Sequence, residues 1–491
     1  MKILTYISRV LVGALFIVSG LVKANDTLGF SYKLEEYFEN GALAYRIRDW
    51  FGWDSFSLEF LMEEALLLAV IMCAAEIVLG FALLFGTKIK FTVLSLLGLT
   101  IMFFFLTLHT ATCDPHATYN DLTVVEENSS DHHRMMSRME NNEKLTILSQ
   151  EDGQITFQEE MPVQCVTDCG CFGDAMKGSL GRSLTPWESW TKDMVLLLLI
   201  IPVWLYRKKI KMNTRNEDIY LLSASLLFVL SLSWVFDWYF PVLFFIVGVV
   251  GYVAMKRFIQ PLKMQWIPIF YVALISCVFI YYTYNHLPLR DYRAYAVGKN
   301  IPKQMVLPEG AVPDVYENIF YYKNKTTGEI EEFTEKNYPW DDDNYEFSDR
   351  KTKLIQKGDE PAITDFTMVA EDGNDYAQDY LNEPGYLFVL VAYDIQKTNK
   401  VVYNNINAFV EETNKDGNYF IGLTASLYDE IENFKQEQQT TFDFMTCDAI
   451  TLKTIVRANP GILLLKQGEI IAKWNANDLP TYQSVKENYL K

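Results

Sequence analysis

The hydrophobic residues of this chain follow two regimes. Up to about residue 285 they form long, nearly unbroken runs; beyond it they come in short runs separated by Asp, Asn, Tyr and Lys. A helix that crosses a bilayer needs roughly 20 mostly apolar residues. Seven runs predict such helices: Leu4–Val22, Leu61–Phe85, Phe91–Thr112, Val195–Tyr206, Tyr220–Phe236, Phe240–Met255 and Ile267–Tyr284. The fourth reaches spanning length if it starts near Trp187, with Trp187 and Trp190 as interfacial anchors.

The second regime reads differently. "ENIFYYKNKTTGEIEEFT" predicts two strands with a hairpin turn at Thr327-Gly328, and "YPWDDDNYEF" an exposed loop. From Tyr386 onward, "YLFVLVAYD" and "NYFIGLTAS" are continuous apolar strands, of the kind buried on both faces. Helices are expected at "VYNNINAFVEETNKDG", "YDEIENFKQEQQ" and "TYQSVKENYLK", and a hairpin turning at Gln467-Gly468 within "ANPGILLLKQGEIIAKW". The expected organisation is a four-helix membrane domain over 1–210, three additional spans over 211–285, a β-rich linker over 286–383 and an α/β domain over 384–491.

Charge adds an orientation. Lys2 and Arg9, Lys88 and Lys90, Arg207 to Lys211, and Lys256 to Lys263 mark alternate connections, and basic connections favour the cytoplasm. The expectation is therefore a cytoplasmic N-terminus, seven spans and a C-terminal domain outside, in the periplasm of a bacterial inner membrane. The first span resembles a signal peptide, but six spans follow and a cytoplasmic start satisfies every later loop. The 491 residues carry a net charge of −19, although half are hydrophobic. From residue 291 onward 34 Asp and Glu face 20 Lys and Arg, a charge of −14. So acidic a soluble half argues against nucleic acid as a partner, since phosphate binding needs a basic footprint.

The candidate chemistry lies in "CVTDCGCFGD", residues 165–174, ahead of the fourth span. Disulfides form and persist outside the cytoplasm, so Cys113, Cys165, Cys169, Cys171 and Cys447 would lie in an oxidising compartment. Cys169 and Cys171 flank a single glycine, and a disulfide between them would close a tight, strained and therefore oxidising ring. Gly170 and Gly173 supply the backbone freedom this needs. Cys113–Cys165 would close a longer loop, as a structural staple does. Three readings remain for Cys169 and Cys171: a redox pair, disulfides to other partners, or a metal site drawing on His116, His132 and His133. Structural zinc usually shows paired C-x₂₋₄-C spacings and no second pair is present, so no metal is expected. Cys113 ends the third span, and His109, four residues earlier, lies on the same helical face near the outer membrane surface. Cys73 and Cys277 fall singly within spans and read as small hydrophobes. Arg9 and Glu76 are charged residues within spans at similar depths, which predicts an ion pair between the first two spans.

"SRVLVGALFIVSGLVKANDTLGF" and "EIVLGFALLFG" resemble the DoxX family of four-helix membrane proteins, and "DCGCFGD" followed by "TPWESWTKDMVLLLLI" resembles its MauE branch, linked to methylamine utilisation and disulfide handling. The polar insert between Cys113 and Cys165 departs from that pattern. Residues 384–491 resemble a thioredoxin-like domain by element order and by Asn459-Pro460, where that family keeps its cis-proline. Where a thioredoxin carries C-x-x-C, this chain has Asp394 to Lys397. Ordinary dithiol exchange is excluded there, and a peptide-binding role remains.

The resemblance implies a membrane thiol–disulfide oxidoreductase. By analogy with vitamin K epoxide reductase, Cys169 and Cys171 would pass electrons to a membrane quinone. Cys113–Cys165 would exchange with extracytoplasmic thiol-containing proteins, and His109 would accept a thiol proton. The competing reading is a non-enzymatic scaffold whose cysteines are staples and whose thioredoxin-like domain binds envelope partners.

Overall fold

The structure, a computed structural model, describes residues 2–53, 55–127, 129–139, 144–151, 153–166, 172–176, 182–258, 265–307, 310–356 and 358–490. It forms two compact units, Met1–Arg293 and Ala294–Lys491.

In the first unit α1 (Lys2–Asn25) is followed by α2 (Thr27–Phe38), a π-helical turn (Asn40–Ala44) and α3 (Tyr45–Phe51). Next come α4 (Ala65–Phe85) and α5 (Ile89–Ala111), then a small sheet with one helix: β1 (Thr118–Glu126), α6 (Ser130–Met139), β2 (Leu145–Glu151) and β3 (Gln154–Pro162). Four long helices complete the unit: α7 (Pro186–Tyr206), α8 (Arg215–Val235), α9 (Phe240–Phe258) and α10 (Ile267–Asn285). Among the described residues seven helices, α1, α4, α5 and α7–α10, are long and apolar enough to cross a membrane, and they coincide with the seven expected runs. Leu67, Leu94, Leu198, Leu227 and Phe270 stand exposed on them, a surface suited to lipid rather than water.

The start of α7 has a local cause. Thr185 accepts a hydrogen bond from the Glu188 amide, the Glu188 carboxylate accepts one from the Thr185 amide, and Pro186 takes the first helical position. This capping box begins α7 one residue before Trp187, which gives the short apolar run "VLLLLIIPVWLY" its full span.

Glycines set how α1 and α4 meet. A Cβ at Gly13 would lie 2.6 Å from Leu84, and one at Gly80 would lie 2.7 Å from the Gly13 carbonyl oxygen. Such close approach is what small residues permit between membrane helices. In that antiparallel register Gly20 meets Glu76 and Ile77, while Arg9 lies beside Gly86. The expected Arg9–Glu76 pair is therefore not formed. Glu76 pairs instead with Lys23, Nζ to Oε1 at 2.6 Å, with both side chains buried. Arg9 donates to the Leu83 and Leu84 carbonyls and to Asn213. The similar depth expected for the two does not hold: the register sets Arg9 beside the end of α4, at least two helical turns from Glu76.

The polar insert folds. β1 and β3 pair antiparallel from Thr118↔Pro162 to Glu126↔Gln154, and β2 lies on the other side of β3. Phe157, Leu145, Ile155 and Met135 form its core. Pairing of its first and last strands returns the chain to where it left.

In the second unit β4 (Val315–Asn324), β5 (Ile330–Thr334) and β6 (Tyr345–Gln356) form an antiparallel sheet ordered β5-β4-β6. The β4–β5 turn lies at Thr327-Gly328 as expected, Gly328 having φ +75°. The second sheet has five strands: β7 (Tyr386–Val391), β8 (Tyr419–Thr424), β9 (Phe444–Thr446), β10 (Gly461–Lys466) and β11 (Glu469–Asn475). Their order is β11-β10-β7-β8-β9; β7, β8 and β9 run parallel, and β10 and β11 run antiparallel. Helices α11 (Tyr403–Lys415), α12 (Tyr428–Gln438), α13 (Ala449–Ile455) and α14 (Tyr482–Asn488) accompany it. The unbroken apolar runs of β7 and β10 are buried as a central pair, Phe388, Leu390, Ile462 and Leu464 being fully enclosed.

Candidate functional site at the cysteine end of the bundle

Cys113 and Cys165 are joined in a disulfide across 52 positions. The fold of the insert causes this. β1 begins at Thr118 and β3 ends at Pro162, so their pairing brings the chain before one to the chain after the other. The Val163 amide donates to the Ala117 carbonyl at 3.0 Å, which continues the ladder toward the cysteines. Both cysteines are half-buried.

His109 lies in the last turn of α5. Its ring is fully buried, and neither Nδ1 nor Nε2 has a hydrogen-bond partner. Tyr37 and Tyr45 lie beside it, with ring centroids 6.3 and 6.1 Å away, and Tyr45 leads on to Tyr119 of β1 at 5.9 Å. The helical-face relation expected between His109 and Cys113 does not hold, because α5 stops at Ala111 and Thr112 caps it. Arg46 of α3 donates to the Thr112 hydroxyl at 2.5 Å and to its carbonyl at 3.0 Å. These contacts end the helix and send Cys113 out toward the insert.

The segment α2–α3, not anticipated from hydropathy, covers this end. Tyr37 shares a 2.7 Å hydrogen bond with Thr110, Arg48 pairs with Asp121 at 3.2 Å, and the Gln164 amide donates to the Gly41 carbonyl at 2.9 Å. A cleft of about 630 Å³ lies between α3 and the insert, lined by Tyr45, Arg48, Thr118, Tyr119 and Gln158 among others. Burial, with Asp121 nearby, pushes the Tyr119 phenol up to about 12, so it stays a hydroxyl at neutral pH.

Cys169, Cys171 and Gly170 lie outside the described residues. The residues flanking that stretch are anchored. Val166 is buried in a cluster with Tyr37 and Ala42. Phe172 is buried on Phe236, with ring centroids 5.3 Å apart, and Lys192 Nζ lies 5.2 Å from its ring. Asp193 joins α7 to α5 through a 3.1 Å hydrogen bond from Thr107. Deeper in the bundle, Lys23 also bonds Ser19 and lies 4.7 Å from the Phe103 ring centre, while Glu76 Oε2 is buried without a partner. Lys23 was missed as a site residue. The signal was its spacing: three residues after Gly20, it continues the face by which α1 meets α4.

The remaining cysteines are dispersed. Cys73 is buried within α4, and Cys277 is exposed on α10. Cys447, just after β9, is buried, and burial pushes its thiol above the ordinary value. His132 and His133 stack on each other in α6, at 5.7 Å. Among the described residues no three His, Cys, Asp or Glu converge on a metal-sized site.

In the second unit the Asn459-Pro460 peptide bond is cis. Asn459 Nδ2 donates to the Asp394 carbonyl at 2.8 Å, and the Asn399 amide donates to the Asn459 carbonyl at 3.0 Å. This fastens the loop before β10 to the segment after β7. A cleft of about 460 Å³ opens there, lined by Asp394, Gln396, Lys397, Ser426, Glu430 and Lys453 among others.

Comparison with known proteins gives two matches. Residues 4–109 match the DoxX family, and residues 316–357 match a domain of unknown function (DUF8463). The similarity to DoxX lies over residues 4–109 of the N-terminal part. It takes in α1–α4 and α5 as far as His109, and stops short of the disulfide and the insert. No curated protein and no solved structure matches the chain.

Proposed function

We propose that the chain is a thiol–disulfide oxidoreductase of a bacterial inner membrane, with its cysteine end facing the periplasm and a MauE-like redox loop over residues 165–174. The observation that carries the proposal is the half-buried Cys113–Cys165 disulfide at the end of a membrane bundle, four residues beyond a buried histidine with two unpartnered nitrogens. A thiolate of an extracytoplasmic protein would attack one sulfur of this disulfide and release the other as a thiolate. The client's second thiol would then displace the first bond. The client leaves as a disulfide, and Cys113 and Cys165 are left as two thiols, having gained two electrons and two protons. These thiols would in turn reduce a Cys169–Cys171 disulfide by the same exchange.

His109 accepts a thiol proton in this scheme, because its free ring nitrogens have no competing donor. The same residues fit a membrane quinone. A flat ring suits the Tyr37 and Tyr45 rings, and a carbonyl or hydroxyl suits the orphaned His109 nitrogens. A bound quinone supplies a two-electron, two-proton acceptor for the Cys169–Cys171 dithiol.

The region 384–491 is proposed to be thioredoxin-like. The order β11-β10-β7-β8-β9, with three parallel and two antiparallel strands and a cis-proline before β10, supports that reading. With Asp394 to Lys397 in place of C-x-x-C, the cleft beside Asn459 would hold an extended peptide rather than exchange thiols. One observation favours a scaffold instead: the disulfide closes the base of a folded insert, as a staple does.

Trapping separates the two. With Cys171→Ser, Cys169 should accumulate as a mixed disulfide with Cys113, Cys165 or a partner protein, visible on non-reducing gels and by mass spectrometry. If Cys165→Ser and Cys171→Ser both trap nothing and leave the redox state of envelope proteins unchanged, the scaffold reading replaces the enzyme.

A further inference from the structure

At the opposite end of the bundle, a cavity of about 310 Å³ opens between the start of α1, the end of α7 and the start of α8. Its lining carries four cations, Lys2, Arg9, Lys209 and Lys211, and one carboxylate, Glu217. That carboxylate is engaged on both oxygens: Tyr6 donates to Oε1 at 2.5 Å, and the Thr214 amide donates to Oε2 at 2.8 Å. The lysines are exposed. Among the described residues none of the four cations forms a salt bridge.

Arg9 is the unusual member. It lies seven residues into α1, about 10 Å along the helix from Lys2, and is only 1 % exposed. Its Nε and one Nη are held by the Leu83 and Leu84 carbonyls and Asn213. The nearby carboxylate Asp218 already pairs with Lys256 at 2.5 Å, and it reaches Arg9 only through Asn213. Glu217 and Asp218 act on Arg9 without forming a direct ion pair with it, and a buried guanidinium that lacks a directly paired anion is costly. The guanidinium is thus fixed by neutral acceptors while it lines a water-accessible cavity ringed by three lysines and hydroxyls.

We propose that this cavity binds a phosphate-bearing anion, supplied by an anionic phospholipid headgroup or by a free phosphate. The anion completes the charge of Arg9. The lysines gather at its mouth, in the manner of basic headgroup pockets between membrane helices.

The test uses the full chain in nanodiscs. In discs of phosphatidylcholine with phosphatidylglycerol, native mass spectrometry should find one phosphatidylglycerol retained per chain. The variant Lys2→Gln/Lys209→Gln/Lys211→Gln alters only exposed side chains and should fold. It should bind on the order of a hundredfold more weakly, at about fivefold per lysine. The control Lys90→Gln/Lys208→Gln removes two cations of the same membrane face that do not line the cavity, and should bind as the parent does. A second arm titrates inorganic phosphate into phosphatidylcholine-only discs. Binding there with the same lysine dependence assigns the site to free phosphate; binding only in the first arm assigns it to lipid. The proposal is overturned if neither probe binds, or if the control weakens binding as much as the triple variant.

Discussion

Removing Lys23 tests the register of the bundle most directly. Lys23 Nζ lies 2.6 Å from Glu76 Oε1, and both side chains are at most 2 % exposed. The ammonium also has Ser19 and the face of Phe103. Lys23→Met keeps length and apolar bulk but leaves the Glu76 carboxylate buried, with Oε2 already unpartnered. Losing one partner of a buried pair costs about 3–5 kcal/mol, mostly for the stranded charge. Glu76→Gln strands the ammonium instead, less severely because Ser19 and Phe103 remain. The double variant Lys23→Met/Glu76→Gln leaves no buried charge at the site. It should be more stable than the sum of the two single losses by roughly 1–3 kcal/mol, the usual coupling for contacting residues.

Reversible unfolding of the purified chain in mixed micelles, followed by tryptophan fluorescence, would measure all four corners of this cycle. The same cycle on Arg9→Met and Glu76→Gln should be additive within about 0.5 kcal/mol, because those residues share no contact. Additivity at Lys23–Glu76 with coupling at Arg9–Glu76 would mean that α1 and α4 are offset by about two turns from the register set by Gly13, Gly20 and Gly80, and would refute the packing described above.

Three further outcomes are expected. Cys447 should resist iodoacetamide in the folded chain and react once it is unfolded; its raised thiol value leaves less thiolate at any pH below about 9, and the associated stability is lost as pH rises through the alkaline range. Thr185→Ala should remove the α7 capping box at a cost of about 1 kcal/mol, seen as faster amide exchange in the first turn after Thr185. Of cysteines introduced at Lys209 and Lys491, only the second should label when intact cells are treated with an impermeant maleimide; equal labelling from outside would remove the oxidising-compartment basis of the proposed function.

The spans were legible because lipid imposes one simple demand, a long apolar run; six runs met it within a few residues, and the fourth met it because the capping box at Thr185 starts α7 ahead of Trp187. The alternating sheet elements after Tyr386 were legible for a similar reason: β7, β8 and β10 are buried on both faces and so read as unbroken apolar strings. α2 and α3 were not. In α2 the buried Phe30, Leu34 and Tyr37 alternate with the half-buried Lys33, Glu35 and Glu36, and in α3 no residue is fully buried while Trp50 and Phe51 are exposed, so neither segment carries the long apolar run of a span. The insert was read as polar and of unknown role. Its core is only a few side chains thick, and Phe157 and Ile155 gain meaning only once β1 and β3 pair.

The site shows the same division between local and non-local information. Cys113 and Cys165 were expected to pair as the closure of a long loop, and the structure joins them; the strand pairing that brings them together over 52 positions is what no local pattern encodes. Arg9 and Glu76 were recognised by their cost in a membrane, but their partners depend on a helix register set by three glycines. The correction at Glu76 also changes what the chemistry can draw on. Glu76 is neutralised by Lys23 rather than left open, whereas His109 retains two uncommitted nitrogens at the end where the disulfide lies. In the proposed scheme proton transfer to or from a thiol therefore falls to His109 rather than to Glu76, and His109→Phe should slow the reoxidation of Cys113–Cys165 more than Glu76→Gln does when both are followed by quenched-flow thiol labelling. A larger effect at Glu76 would move the proton-handling group from the mouth of the bundle to its interior.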